Sequence, residues 1–307
     1  MAVKPPPTRP KKGAVRAPSS PPAGQKKEIR RVKKFTTAAY ETVQQGKRII
    51  VYADSGMGKT TITALLKSPK FIDFRGGSDM MTHPITGEKL DHIPGVKTFD
   101  DVRDVCNQSD LLVPGDSLVV DVGDGFEDVA LTWTFQNVPH EKGPGYKVIK
   151  RIEDYGYGKG YRHLYDTMKL PLADFDTLIR RGVNVVINCQ MQQVEVANAG
   201  GENYLCDVPK LQVAHGKNNN VPPVWGLYVE WADHVFKIGY NDIAAADGKA
   251  ASTGEHAIFV RGEPHFKAKS RSIPHEYSRI AFSGPEDDSI WQYLFDECWK
   301  EEEKETD

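Results

Sequence analysis

Ile49-Ile50-Val51-Tyr52-Ala53-Asp54-Ser55-Gly56-Met57-Gly58-Lys59-Thr60-Thr61 runs from an apolar, β-branched strand signal through a Gly-containing loop into Lys-Thr. Thr61-Ile62-Thr63-Ala64-Leu65-Leu66 then reads as the start of a helix. Strand, loop and helix in that order are the context required by the phosphate-binding pattern G-x-x-x-x-G-K-[ST]. Ala53 stands where that pattern has its first Gly, a change to another small residue. Ala53, Asp54, Ser55, Gly56, Met57, Gly58, Lys59, Thr60 and Thr61 are therefore the candidate nucleotide-binding residues. Backbone N–H groups of such a loop surround a phosphate, and a helix N-terminus adds partial positive charge. Gly56 and Gly58 allow a close backbone approach. Lys59 is expected to reach the β- and γ-phosphates, and Thr60 to hold Mg²⁺ through its hydroxyl. A chance Gly-rich turn is the competing reading, and the strand before it and the helix after it argue against that.

The chain has 307 residues, enough for one large α/β domain with its own core. Net charge is −2, but it is unevenly spread. Residues 1–35 carry eleven Lys and Arg against one acid, Glu28, a net of +10. Residues 286–307 hold ten Asp and Glu against two Lys. Seven prolines fall within residues 1–27, so residues 1–29 read as a disordered basic tail of the kind that touches nucleic acid or another acidic surface. A solubilising leader without a partner is the alternative. Residues 30–285 read as the folded domain and 286–307 as an acidic C-terminal helix and tail. There, Ile290, Trp291, Leu294, Phe295, Cys298 and Trp299 recur at helical spacing, as in a face docked on a core. Cys106, Cys189, Cys206 and Cys298 form no C-x-x-C pair, so neither zinc nor a disulfide framework is indicated. No apolar stretch is long enough to span a membrane, and the N-terminus lacks a secretory apolar region, so a cytoplasmic protein is expected.

Along the chain, residues 36–43 read as a short helix and 70–74 as a second strand. Residues 75–97 read as a loop and Phe99–Cys106 as a helix. Asp116-Ser117-Leu118-Val119-Val120-Asp121 reads as a strand that delivers Asp121 at its carboxyl end, beside the first strand, where it can hold Mg²⁺ through a water. Residues 122–165 read as a long connecting segment. Within it, Tyr155-Gly156-Tyr157-Gly158-Lys159-Gly160-Tyr161 interleaves aromatic, Gly and Lys residues, a composition that can stack bases and contact phosphates or meet a neighbouring subunit. A helix over 174–181 leads to the buried strand 183–190, which ends in Asn188 and Gln190. Residues 191–223 read as a second long loop, 227–238 as one or two strands, and 256–261 and 265–271 as further strands. In the last of these, Lys267, Lys269 and Arg271 alternate, which puts them on one strand face.

This order resembles the RecA-like core of P-loop ATPases, an α/β fold with a mostly parallel central sheet flanked by helices. It is more closely similar to the phage-type nucleotide-binding ATPases that act in single-strand annealing and recombination. Ala53–Thr61, Asp116–Asp121, Tyr155–Tyr161 and Lys267-Ala268-Lys269-Ser270-Arg271 carry the resemblance, which spans about residues 45–280. It implies ATP and Mg²⁺ as cofactors, with Thr60 and Asp121 on the metal. It implies Gln190 as the sensor of the γ-phosphate, and Lys267, Lys269 and Arg271 as finger residues facing the nucleotide of a neighbouring subunit. It further implies single-stranded DNA running along residues 122–165 and 191–223, self-association into a ring or filament, and a possible single-strand-binding or replication partner. The compartment would be the host cytoplasm if the chain is phage-encoded. A charged edge strand is the plainer reading of 267–271.

One departure stands out. In the RecA pattern a glutamate that activates water lies two residues after the aspartate matching Asp73, and here Arg75 occupies that place. Asp73, Asp79, Asp124 and Glu127 are the candidate replacements. The expected function is thus an ATP-binding, ATP-hydrolysing protein that binds single-stranded DNA and promotes annealing. A ring-forming helicase or loader, and a nucleotide-binding assembly protein that does not turn over, are the alternatives.

Overall fold

In the computed structural model, residues 37, 45–140, 149–198, 200–213, 221–241, 243–244, 250–251 and 254–296 are described. The basic tail, the helix expected over 36–43 (Thr37 apart) and residues 297–307 lie outside them. The elements below all belong to the unit Val43–Asp307.

The run Arg48–Ala53 forms strand β1, and its neighbours explain why it is apolar throughout. Ile50 and Tyr52 point to one core, and Ile49, Val51 and Ala53 to the other. The same alternation holds in β2 (Pro69–Asp73), β3 (Ser117–Asp121) and the first half of β4 (Asn184–Val196). A strand covered on both faces has no polar side, so it reads as a continuous apolar run. Helices α2 (Phe99–Asn107), α3 (Gly123–Asn137), α4 (Lys159–Arg180) and α5 (Val224–Trp231) contribute to the first core. Helices α1 (Lys59–Ala64) and α6 (Ser289–Trp291) contribute to the second. The entry to α2 is a capping box: Thr98 Oγ1 accepts from the Asp101 N–H, and Asp101 accepts from the Thr98 N–H.

Strands β5 (Tyr204–Pro209), β6 (His234–Tyr240), β9 (His256–Phe259), β10 (Lys269–Ser270) and β11 (Arg279–Phe282) join the same sheet, while β7 (Ile243–Ala244) and β8 (Ala250–Ala251) pair only with each other. The order is β11-β9-β6-β1-β4-β3-β2. Strands β6, β1, β4, β3 and β2 are parallel, and β9 and β11 extend the sheet antiparallel. The α/β sheet expected of a RecA-like P-loop core is therefore present.

Several details differ from the sequence reading. Strand β3 does not lie beside β1, because β4 is inserted between them. Residues 122–165 are not one long connection: 123–137 are α3, whose apolar residues fall on more than one face and gave no clear period. Helix α4 begins fifteen residues before the expected 174, at Lys159, and carries Pro171 inside it. Residues 191–223 contain the antiparallel hairpin β4–β5, which projects beyond the parallel sheet. Residues 224–231 are helix α5, although Leu, Tyr, Val and Trp suggested a strand from 227; buried contacts of Val224 and Tyr228 outweigh β-propensity. The basic strand 265–271 shrinks to Lys269–Ser270, because residues 263–266 fold into a turn closed by Glu263 and Phe266.

The C-terminal segment is a short helix followed by a π-helical turn over Gln292–Asp296. Ile290, Trp291 and Leu294 are buried, as the helical spacing suggested, whereas Phe295 is exposed. Trp291 Nε1 donates to the Ile62 carbonyl at 2.7 Å, so this segment is tied to α1 directly.

Candidate functional site

The loop after β1 turns twice through left-handed backbone, at Gly56 (φ 81°) and Gly58 (φ 87°), where a side chain would be strained. A Cβ on Gly56 would meet nothing within 4 Å, whereas one on Gly58 would press on the Phe282 ring at 3.0 Å. The loop is therefore open on one side and backed by β11 on the other.

Lys59 emerges at the first position of α1 and folds back over the loop. Its Nζ donates to the carbonyls of Ala53 at 3.1 Å and Asp54 at 2.8 Å, and to Gln190 Oε1 at 3.0 Å. Insertion of β4 makes the last contact possible, since Ala53 and Gln190 are register partners. Thr60 Oγ1 donates to Asp121 Oδ2 at 2.7 Å. Two residues before Gln190, Asn188 donates to Thr63 Oγ1 at 3.0 Å and pins α1 to the sheet from inside. Lys59, Thr60, Asp121 and Gln190 thus share one cavity of about 340 Å³, which Ser55, Gly56, Gly58 and Thr61 also line.

Burial acts against both charged groups of this cavity. Burial pulls the Lys59 ammonium below its ordinary range, against the attraction of Asp121. Burial likewise pushes Asp121 up, against the hydrogen bond from Thr60. A phosphate near Lys59 and a divalent cation near Asp121 would each favour the charged form of its neighbour. The Thr60 hydroxyl and the Asp121 carboxylate are hard oxygen donors, which suits Mg²⁺ held jointly with phosphates. Among the described residues no group of three His, Cys, Asp or Glu forms a separate metal cluster.

A second, larger cavity of about 640 Å³ shares Gly56, Gly58 and Thr61 with the first. Its far wall comes from β9 and β11, where His256 and Phe282 lie stacked with ring centroids 6.3 Å apart. This wall was not anticipated: it is some 200 residues from the loop in sequence and carries no motif. Asn188 was visible as a polar residue ending an apolar run, but its partner was not.

The expected finger residues are not gathered at this loop. Lys269 pairs with Val235, while the next residue, Ser270, pairs with His234, the register partner of Ile49. Arg271 bonds Asp233 at 3.1 Å, and the Asp233 N–H donates to the Arg48 carbonyl. Lys269 and Arg271 therefore sit at the opposite end of β1 from the loop of the same chain. Lys267 lies nearer, on a turn where its carbonyl accepts from Tyr52 Oη at 2.5 Å. The three do not share one strand face.

Of the four candidate bases, Asp73 alone lines the phosphate cavity. Burial pushes its carboxyl up, but hydrogen bonds from Ser78, Arg75 and Gly76 prevail and hold it below the ordinary range, a poor base. Asp79 lies on the 75–97 excursion and accepts Lys89 Nζ at its carbonyl. Asp124 bonds Arg75 at 3.2 Å and approaches Lys210 at 3.7 Å. Glu127 accepts from the Gln212 N–H at 2.9 Å, and burial pushes its carboxyl up to about 7.

That shift has a sign. A carboxyl raised in the folded state binds its proton more tightly there than in the unfolded chain, so its contribution falls as pH rises from about 4.5 to about 7. Glu127→Gln keeps the acceptor for Gln212 and removes the titration. Thermal melts between pH 5 and 8 should show a flatter decline in Tm for this variant than for the wild type; parallel curves would remove Glu127 as a buried acid.

Cys106, Cys189 and Cys206 are buried free thiols. Burial pushes the Cys106 thiol up to about 12 and that of Cys189 further, so neither is a nucleophile at neutral pH.

A family model described as an AAA domain matches residues 45–272. No curated protein matches the chain. Among solved structures, the KaiC-like protein PH0186 from the archaeon Pyrococcus horikoshii OT3 is 12% identical, with 79% of this chain and 88% of that one covered and a TM-score of 0.38. The flagellar accessory protein FlaH from Methanocaldococcus jannaschii is 9% identical, with 78% and 85% covered and a TM-score of 0.35.

Proposed function

This chain belongs to the AAA domain family, and from that premise and the site's geometry we propose that it binds ATP with Mg²⁺ at Ala53–Thr61 and hydrolyses it. One observation carries the reading: Lys59, Thr60, Asp121 and Gln190, drawn from three separate elements, converge on one cavity beside an open glycine loop. The triphosphate lies along the loop. Lys59 exchanges its loop carbonyls for β- and γ-phosphate oxygens, and Gln190, released from Lys59, faces the terminal phosphate. Thr60 and Asp121 would hold Mg²⁺, which when bound would supply charge neutralisation to the phosphates. The base and ribose occupy the adjoining cavity against His256 and Phe282.

We extend the proposal to single-stranded DNA as the macromolecular partner. Tyr157 is 95% exposed between Gly156 and Gly158, both at positive φ, with Lys159 and Arg162 opening α4 next to it. Exposed aromatic rings among basic residues favour stacked bases over a protein partner. By contrast, the described residues of 191–213 offer Glu195 and Glu202 against Lys210, Asp207 being paired with Lys237, which disfavours the hairpin as a phosphate track. The basic residues of 1–35 add sequence-independent attraction. Annealing follows if two copies hold complementary strands, and the finger role of Lys267, Lys269 and Arg271 then requires a second copy, since they lie away from their own loop.

The test is the affinity for a fluorescent single-stranded oligonucleotide at 50 and 200 mM salt. Affinity should fall steeply with salt, and Tyr157→Ala should weaken binding by about 10-fold at either salt, the loss of one stacked base. Salt-independent binding, or an unchanged Tyr157→Ala variant, would contradict the DNA reading.

A further inference from the structure

Arg75 stands between two cavities. It lines the phosphate cavity, where it and Lys59 are the basic side chains among the described lining residues. It also lines a cavity of about 560 Å³ between the 75–97 excursion and the first turns of α3. Its guanidinium is held there through one nitrogen: Nη2 donates to Asp128 Oδ2 at 2.9 Å and to Asp124 Oδ2 at 3.2 Å. The three N–H donors on Nε and Nη1 make no hydrogen bond among the described residues.

The base of this arm is fixed while its tip is not. The Asp73 carboxylate accepts from the N–H groups of Arg75, Gly76 and Ser78 and from the Ser78 hydroxyl, which sets the backbone at Arg75. On the facing helix, a Cβ at Gly125 would come within 2.7 Å of Phe74 Cβ and 3.4 Å of Arg75 Nε, so glycine lets the arm lie flat on α3. The tip is another matter. The side chains of Arg75 and Asp128 are 54% and 67% exposed, and ion pairs between exposed groups are weak. Asp124 keeps a second cationic neighbour, Lys210, when Arg75 departs.

We propose that Arg75 is the arm that reads the terminal phosphate: it leaves Asp124 and Asp128 for γ-phosphate oxygens when a triphosphate fills the cavity, and rests on the two carboxylates with a diphosphate. The proposal rests on the nucleotide reading above. A guanidinium fork matches phosphate oxygens in pairs, a stronger arrangement than two contacts shared by one nitrogen. The exchange also has a consequence at a distance. The Lys210 N–H donates to the Gln190 carbonyl at 2.6 Å, and Gln190 holds Lys59. Freed from Arg75, Asp124 draws on Lys210 alone, so the state of the terminal phosphate reaches the end of the β4–β5 hairpin. Arg75 thus fills the place of the expected glutamate with a ligand for the phosphate.

The experiment is a titration of fluorescently labelled ATP and ADP, with Mg²⁺, into the full chain and three variants. Arg75→Ala should weaken ATP by about 10-fold and leave ADP within about 2-fold, as loss of a charge-assisted contact to the third phosphate requires. Arg75→Lys should fall between. Asp128→Asn, which removes a competing carboxylate at an exposed position, should tighten ATP and not ADP. Equal weakening of both nucleotides by Arg75→Ala, or no change in either, would overturn the proposal. Should Arg75→Ala fail to fold, as judged by its urea transition, Asp128→Asn decides: unchanged ATP affinity would overturn the proposal. A wild-type chain that binds neither nucleotide overturns the nucleotide reading itself, a result separate from any effect of Arg75.

Discussion

Replacing Lys59 by alanine is expected to lower nucleotide turnover by about 100-fold to 1000-fold, the usual effect of removing one preorganised charge from a reacting centre. The ammonium is buried beside the carbonyls of Ala53 and Asp54 and the Gln190 amide, so no other cation can take its place within the loop. Arg75 lines the same cavity, but its backbone is set by Asp73 on another strand. Lys59→Arg should not rescue the activity, because a planar fork cannot occupy the point contact that Nζ makes with three oxygens. Phosphate release and nucleotide titration check the pair of variants together. Full turnover in Lys59→Ala would mean that the reaction occurs elsewhere.

Phe126→Ala should destabilise the fold by about 3–5 kcal/mol, the cost of emptying a large aromatic site in a packed core. Phe126 is fully buried on the first turn of α3, with ring centroids 5.9–6.2 Å from those of Phe99, Phe74 and Phe175. Those rings come from α2, the residue that follows β2, and α4, so one side chain locks three parts of the chain to the helix that carries Asp124 and Glu127. Urea unfolding measures the loss; Phe126→Leu, which retains most of the volume, should cost less. A transition shifted by under about 1 kcal/mol would show that this side of the core is not packed as described.

Lys59 and Asp121 illustrate what was legible in the sequence, whereas Phe126 was not, since it lies on a helix with no clear apolar period. Lys59 was identified from spacing alone, because the phosphate-binding loop is local: strand, glycines, lysine and helix follow one another within about 17 residues. Asp121 was legible for the same reason, as a strand end. What spacing could not show was that β4 separates their two strands, which is why Gln190 lies against Lys59. The length of α4 was hidden by Pro171 and by the glycines that open it, both of which read as loop. The C-terminal half of helix α5 was misread because Tyr228, Val229 and Trp231 favour strands in isolation, and only packing against Phe175 and Met168 of α4 decides otherwise. The wall formed by His256 and Phe282 depends on β9 and β11 reaching the loop through the sheet, a contact that no local pattern encodes.

The most direct measurement is phosphate release from ATP by the purified chain, with Mg²⁺ present or chelated, and with or without single-stranded DNA. Turnover that requires Mg²⁺ and rises with DNA is the predicted result. ATP that binds without phosphate release under every condition would contradict it and leave a nucleotide-gated binding protein in place of an ATPase.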